Sequence, residues 1–258
     1  MIINEDMLRD RAPAVFAEAP EEGKISSRYS FLPTTEIIEI LQEEGWAAYN
    51  ASQVNPRKWS RDHAKHIVRM RHEDLDMSNF GVGDAFPEML IMNAHNGLGG
   101  YTLQGGVFRM VCSNGMVVSE EDFGKVQIRH IGFEEEQVKE VSRQLVISSS
   151  DISNKIQAWK STDITGSTRA EYLREAASLR FENPDDSMIR SLSNVRRNED
   201  EGRDLWNLHN VVQENLIKGG FLNQTTRRQV RKITSIQKDI QLNSELWALT
   251  SQYAESMN

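Results

Sequence analysis

Between residues 57 and 72 the chain sets Arg57, Lys58, Arg61, Lys65, Arg69 and Arg71 against a single acid, Asp62. Six cations in so short a stretch suit a run of phosphates, because each one that meets a phosphate releases a condensed counterion. Trp59, with Tyr49 just upstream, offers a flat ring on which an unpaired base can stack. Residue types and interleaving together point to single-stranded nucleic acid. A competing use is written next to it: Glu73, Asp74, Asp76, Asp84 and Glu88 follow with no intervening base and could neutralise the basic segment. Arg227, Arg228, Arg231 and Lys232 form a second cationic cluster, expected at the start of a helix.

A second constellation is Asn93, His95 and Asn96, immediately ahead of Gly97. These residue types cap turns through their side chains, and they can also hold a ligand. Cys112 with His95 or His130 is the pair that could make a thiolate nucleophile. Cys112 lies in an apolar run, however, where a buried inert thiol is the commoner outcome. An enzyme built on His95, Cys112 and His130 therefore requires those side chains to converge. His63, His66 and His72 do not have convincing metal-ligand spacing if the segment is a strand, since His63 and His66 then point to opposite faces. Asp74, Asp76 and Ser78 imitate the start of a calcium loop, but Asn79 stands at its glycine position and Ala85 at that of the bidentate acid. The glycines of Gly97-Leu98-Gly99-Gly100 and Gly105-Gly106 complete no dinucleotide fingerprint, and no Gly-Lys-Ser or Gly-Lys-Thr exists, which argues against a P-loop ATPase. Asp122-Phe123-Gly124 lacks the other kinase signatures. No metal and no cofactor are expected.

The 258 residues carry a formal charge of −8, with 38% hydrophobic and 26% charged side chains. Such a chain is long enough to bury a core. An acidic total disfavours a uniformly basic coat, yet residues 57–72 hold a local +5. One cysteine, Cys112, excludes an internal disulfide and suits a reducing compartment. Met1–Asp6 has neither a basic start nor an apolar stretch, and no run approaches the ~20 apolar residues of a membrane span. A cytoplasmic protein of a bacterial host cell, without membrane contact, is the expectation.

The elements that must position these residues follow from periodicity. Residues 1–33 read as an irregular lead-in containing Pro13, Pro20 and Pro33. Thr34 or Thr35 caps a helix with Ile37, Ile38, Ile40 and Leu41 as its apolar side, stopping at Gly45. Trp46–Ala51 reads as a strand, and His63–Arg71 as a second with cations on one face. Met89–Met92, Tyr101–Leu103, Val107–Cys112 and Met116–Val118 read as further strands separated by Asn96-Gly97, Gly105-Gly106 and Asn114-Gly115. Beyond Ser119 the text turns helical. Val138, Val141, Leu145, Ile152, Ile156 and Trp159 recur at helical spacing, then Tyr172, Leu173, Ala176 and Leu179, then helices over 205–217 and 226–247. The expectation is α+β: an antiparallel β-rich N-terminal half with a leading helix, then a helical C-terminal half. In domains, an irregular segment 1–33 precedes an α+β core 34–182, a polar connector 183–203 and a helical region 204–258.

Three stretches carry a resemblance: Asn93-Ala94-His95-Asn96-Gly97, Phe108–Met116 with its Cys112-Ser113-Asn114-Gly115 turn, and Ile128-Arg129-His130. In this order they resemble the phage/plasmid-like proteins grouped as domain of unknown function 932. A Trp…Asn…Gln-Glu helix of that family is matched by Trp206, Asn210, Gln213 and Glu214. The resemblance covers roughly 30–220 and implies a family-motif site at Asn93, His95, Asn96, Asn114 and His130. Asn96 stands where the family more often has aspartate. The order helix, Gly45-Trp46, strand, basic strand, hairpins is also similar to the annealing core of Rad52-like recombination proteins. That likeness implies an oligomeric ring that holds single strands in a basic groove and anneals them without ATP. The leading expectation is thus a non-enzymatic, homo-oligomeric DNA-metabolism protein of a mobile element. The alternative is a phage counter-defence protein that meets a host immune complex through Glu134-Glu135-Glu136 and Glu199-Asp200-Glu201.

Overall fold

The structure is a computed structural model and describes residues 2–21, 31–55, 60–73, 85–96, 101–109, 115–117, 125–128 and 134–257. The chain divides into two units, Met1–Gly115 with Glu120–Ser150, and Met116–Ser119 with Asp151–Asn258. The division falls inside a helix at residue 150, whereas the sequence suggested a break at 183–203.

In the first unit, α1 (Glu5–Arg11) occupies part of the stretch read as irregular. Its signals are local: Asn4 Oδ1 accepts from Met7 N–H, Glu5 and Asp6 lie in the first turn, and Arg9 and Arg11 in the last. A 3-10 turn follows at Pro13–Phe16. Helix α2 (Thr34–Glu43) buries Ile37, Ile38, Ile40 and Leu41. Thr34 is its first helical residue, but Pro33 occupies the cap position and its ring offers no acceptor, so no side chain caps the helix, and Thr34 bonds elsewhere. The helix ends at Gly45, whose φ of +88° is the left-handed exit that glycine adopts freely.

The sheet comprises β1 (Trp46–Gln53), β2 (His66–His72), β3 (Ala85–Asn93), β4 (Tyr101–Arg109), β5 (Gly115–Val117) and β6 (Lys125–Ile128). The strand order is β1-β2-β3-β4-β5, with β6 also on β4, and the β1–β2, β2–β3, β3–β4 and β4–β6 pairs are antiparallel. Gly105-Gly106 does not break the chain as expected. It runs inside β4, opposite Met89 and Glu88, held by a continuous ladder. Cross-strand parity assigns the faces. One face carries Trp46, His66, Val68, Met70, Met89, Ile91, Asn93, Tyr101 and Leu103, all buried. The other carries Arg69, Arg71, Glu88, Leu90 and Gln104. Trp46 Nε1–H donates to Ser142 Oγ (2.7 Å) of α3 (Glu135–Ser161), tying that helix to the first face.

The second unit contains the end of α3, then α4 (Gly166–Ser178), α5 (Asp186–Ser191), α6 (Leu205–Lys218) and α7 (Ile236–Met257). The segment read as a connector is therefore structured, with α5 and a 3-10 turn at Asn198–Asp200. Helix α6 is buried on every side from Leu205 to Ile217. Its Trp206 and His209 pack against Trp159 and Trp247, whose ring centroids lie 4.5 Å apart. The helix expected over 226–247 begins only at Ile236. Its first ten residues form instead the return strand of a small hairpin, β7 (Leu222–Asn223) with β8 (Arg228–Gln229), and an extended stretch. No β-branched or polar periodicity marks that switch; tertiary bonds described below impose it. The architecture is α+β as expected, a β-rich first half with a leading helix and a helical second half.

Candidate nucleic-acid interface

Strand β2 begins three residues after a 3-10 turn, Arg61–His63, so the basic segment is bent rather than one straight strand. The bend separates its cations into two environments. Arg69 and Arg71 share a face with Glu88, and both bond to it: Arg69 Nε to Oε2 and Arg71 Nε to Oε1, each 2.5 Å. The Glu88 side chain is 0% exposed and the two arginines 12% and 18%. The Arg71 guanidinium also lies over the Tyr49 ring, Cζ 3.3 Å from the centroid, so that ring face is already occupied. The neutralisation written in the sequence is thus realised at Glu88, for these two cations.

Arg61 is exposed and Lys65 half-buried, and neither makes an ion pair among the described residues. Partial burial holds the Lys65 ammonium below its ordinary pKa. Arg57, Lys58 and Trp59 lie outside the described residues, as do Asp74, Asp76 and Asp84. The histidines of the segment point to three separate partners. His63 Nε2 meets the Ala19 carbonyl (3.0 Å), His72 Nε2 the Glu44 carbonyl (2.7 Å), and His66 turns into the core.

There His66 joins Asn93 and His95 of the family-motif site in a cluster centred on Thr34. His66 Nδ1 is 2.9 Å from the Ala64 carbonyl, so that nitrogen carries the proton and Nε2 is a bare acceptor. Thr34 Oγ1–H donates to it at 2.8 Å. The Thr34 oxygen in turn accepts from Asn93 Nδ2 (3.1 Å) and His95 Nε2 (3.1 Å). Tyr101 OH lies 3.1 Å from it and donates to the Leu32 carbonyl at 2.6 Å. All five side chains are at most 2% exposed. Burial pushes His66 down to about 4, against a weaker upward pull from the Ala64 bond, so the ring is neutral near pH 7. The cluster pins the start of α2 to the ends of β2 and β3. Asn93 Oδ1 is buried there without a hydrogen-bond partner. Asn96 is half-buried beside it, while Asn114, Cys112 and His130 fall outside the described residues.

Sequence reading missed Thr34, His66 and Tyr101 as members of the buried cluster, while Glu88 is among the five acids it sets against the basic segment. The alternating pattern of β2 puts His66 on the buried face, which was the available signal; Thr34 gave none, because a threonine before a helix reads as a cap. The motif helix is clearer. Asn210 Nδ2 donates to the Trp206 carbonyl (2.7 Å), Gln213 Nε2 to Asn243 Oδ1 (3.0 Å), and Glu214 receives Arg197 and Lys218 (2.7 and 2.5 Å). Burial raises the Glu214 carboxyl, and those two cations outweigh it, leaving it below the ordinary range. These residues hold a buried helix together. Of the acidic runs, Glu135 pairs with Lys139 and Glu136 with Arg143, while Asp200 is buried.

With this geometry in place, the chain is assigned to a class by its sequence: it belongs to the family described as domain of unknown function 932, matched over residues 22–247. Two relatives from Escherichia coli strain K12 extend the likeness. UPF0380 protein YfjQ is 32% identical over 244 residues, and UPF0380 protein YafZ 32% identical over 242 residues. Each alignment covers 92% of this chain and 86% of the relative. No solved structure matches. Among the described residues, no helix is long and apolar enough to cross a membrane.

Proposed function

We propose that this protein binds single-stranded nucleic acid through the outer part of its basic segment, Arg57, Lys58, Trp59, Arg61 and Lys65, as a homo-oligomeric, ATP-independent annealing protein. One observation carries the reading: within a segment of +5, Glu88 takes up only the inner arginines, Arg69 and Arg71, and leaves Arg61 and Lys65 without an ion pair among the described residues. Phosphate contacts by these cations supply affinity without sequence preference, and Trp59 supplies base stacking that a duplex does not offer. Fluorescence anisotropy with a mixed-sequence single strand tests it, together with a size measurement with and without the oligonucleotide. The expected result is binding that weakens steeply with salt and is lost in the Arg57→Ala/Lys58→Ala/Arg61→Ala/Lys65→Ala variant. Absence of binding at low salt, or binding that survives the fourfold change, overturns it.

A further inference from the structure

Resting on that reading, we propose that the β7–β8 hairpin of the second unit is a separate phosphate-backbone contact, one that accepts single and double strands alike. From Lys218 to Lys238 the chain holds Lys218, Arg227, Arg228, Arg231, Lys232 and Lys238 and no acid. Lys218 is engaged by Glu214. The other five are exposed, and none makes an ion pair among the described residues. Unlike the arginines of β2, these cations make no ion pair with a buried carboxylate among the described residues; Asp239 feels Lys232 only as a nearby charge. Arg228, Arg231 and Lys232, with Lys218 and Gly220, line an open concavity of about 780 Å³.

Two-residue strands do not hold a hairpin in place by themselves. This one is fastened at its base and near its tip. Gly220 N–H donates to the Val230 carbonyl and Val230 N–H to the Phe221 carbonyl, both 2.8 Å, while Ile233 N–H donates to the Ile217 carbonyl at 2.9 Å. Arg180 bridges the carbonyls of Leu216 and Arg231, and Arg196 reaches the Gly219 carbonyl. At the other end Gln224 N–H donates to Asp185 Oδ2 (3.1 Å) and Thr226 N–H to Asn223 Oδ1 (2.8 Å). Two arginines are thus spent on clamping the hairpin so that others stand free. Held cations lose less freedom on binding than cations on a loose loop.

The tip supplies an independent sign. Arg227 has φ +54°, the one non-glycine residue with positive φ among the described residues. That backbone favours glycine or asparagine. A strained residue kept at an exposed turn calls for a reason in its side chain. Here the side chain adds a cation to a segment that carries no acid of its own, although Asp185 caps the tip from outside. Phe221, the aromatic residue of the hairpin, is turned edge-on to Phe181 at 6.1 Å. The surface therefore offers charge without a stacking platform, which makes it indifferent to strandedness.

The test measures binding of one mixed-sequence oligonucleotide, single-stranded and as its duplex, across a salt series. Replacing Arg227, Arg228, Arg231 and Lys232 by Ala should weaken both ligands by a common factor of about 10 to 100 at low salt and lower the steepness of the log–log salt plot by up to about 3. Arg227→Gly should weaken binding by about 3-fold, consistent with one lost phosphate contact, while its melting temperature stays equal or rises. That pairing separates binding from folding. An unchanged salt plot, or a loss confined to the single strand, overturns the hairpin contact. If only the variant at residues 57–65 loses binding, the hairpin contact falls and the function stands; if only the hairpin variant does, the reverse holds. No binding of either ligand overturns both.

Discussion

Replacing Glu88 by Gln tests whether the inner arginines of β2 belong to the core or to a binding surface. The carboxylate is fully buried and meets two guanidiniums at 2.5 Å. Gln keeps the volume and removes the charge. Breaking a buried ion pair by removing one partner costs about 3–5 kcal/mol, and the 12% and 18% exposure of the arginines argues for the lower end. At about 3 kcal/mol, amide exchange limited by opening of β2 and β3 should accelerate by roughly 10²-fold. Hydrogen-exchange mass spectrometry on peptides covering residues 66–72 and 85–93 reads this locally, with peptides from α6 as the internal reference. Arg69→Met/Glu88→Leu/Arg71→Met should recover most of the protection, since an apolar replacement of the whole group carries no stranded charge. An acceleration below about 5-fold in Glu88→Gln, worth no more than roughly 1 kcal/mol, would show that the three charges are solvated, and the division of the basic segment would collapse.

The two units should answer pH in opposite senses. His66 falls from 6.5 to about 4 on folding, so the unfolded chain binds the extra proton between those values. Its contribution, about 3 kcal/mol, is present above pH 6.5 and lost as pH falls toward 4; His66→Gln should flatten that limb in an acid unfolding series. Asp239 is raised by burial from 3.8 to about 6, so here the folded state holds the proton and stability declines as pH rises from 4 to 6. Asp239→Asn should therefore raise the melting temperature of the second unit at pH 8 by removing up to about 3 kcal/mol of penalty, and leave it unchanged at pH 4. Gly219 has φ +60°, and a Cβ there would lie 2.6 Å from the Val230 carbonyl oxygen. Gly219→Ala should cost more than about 2 kcal/mol in urea unfolding and loosen the hairpin.

The class of fold was readable because it rests on local signals: the isoleucines of α2, the Gly45 exit, the alternation of β2 and the helical recurrence from Val138 to Trp159. What escaped was decided at a distance. Gly105-Gly106 punctuates a sequence, but a ladder with β3 carries the strand through it. Residues 226–235 looked helical until the carbonyls of Leu216 and Arg231 found Arg180. The basic segment was visible as charge, yet its division depended on Glu88, which shares a face with Arg69 and Arg71 only once β2 and β3 pair. Thr34 and His66 meet across 32 residues, a closure that no window of sequence contains.

Strand β1 has β2 on one side only, and its other side is occupied by the chain's own first residues. Ile3 N–H donates to the Ala48 carbonyl, Arg11 Nη1 to Asn50 Oδ1, and Ala14 N–H to Gln53 Oε1. Residues 2–16 thus lie against the strand through one of its carbonyls and two of its side chains, a guard on an edge that would otherwise template a neighbouring chain. Any assembly that lengthened the sheet at β1 would first have to lift this guard. Self-association by that route is thereby tied to the release of a short peptide, which a protease, an appended tag or a competing strand can bring about without touching the sheet itself.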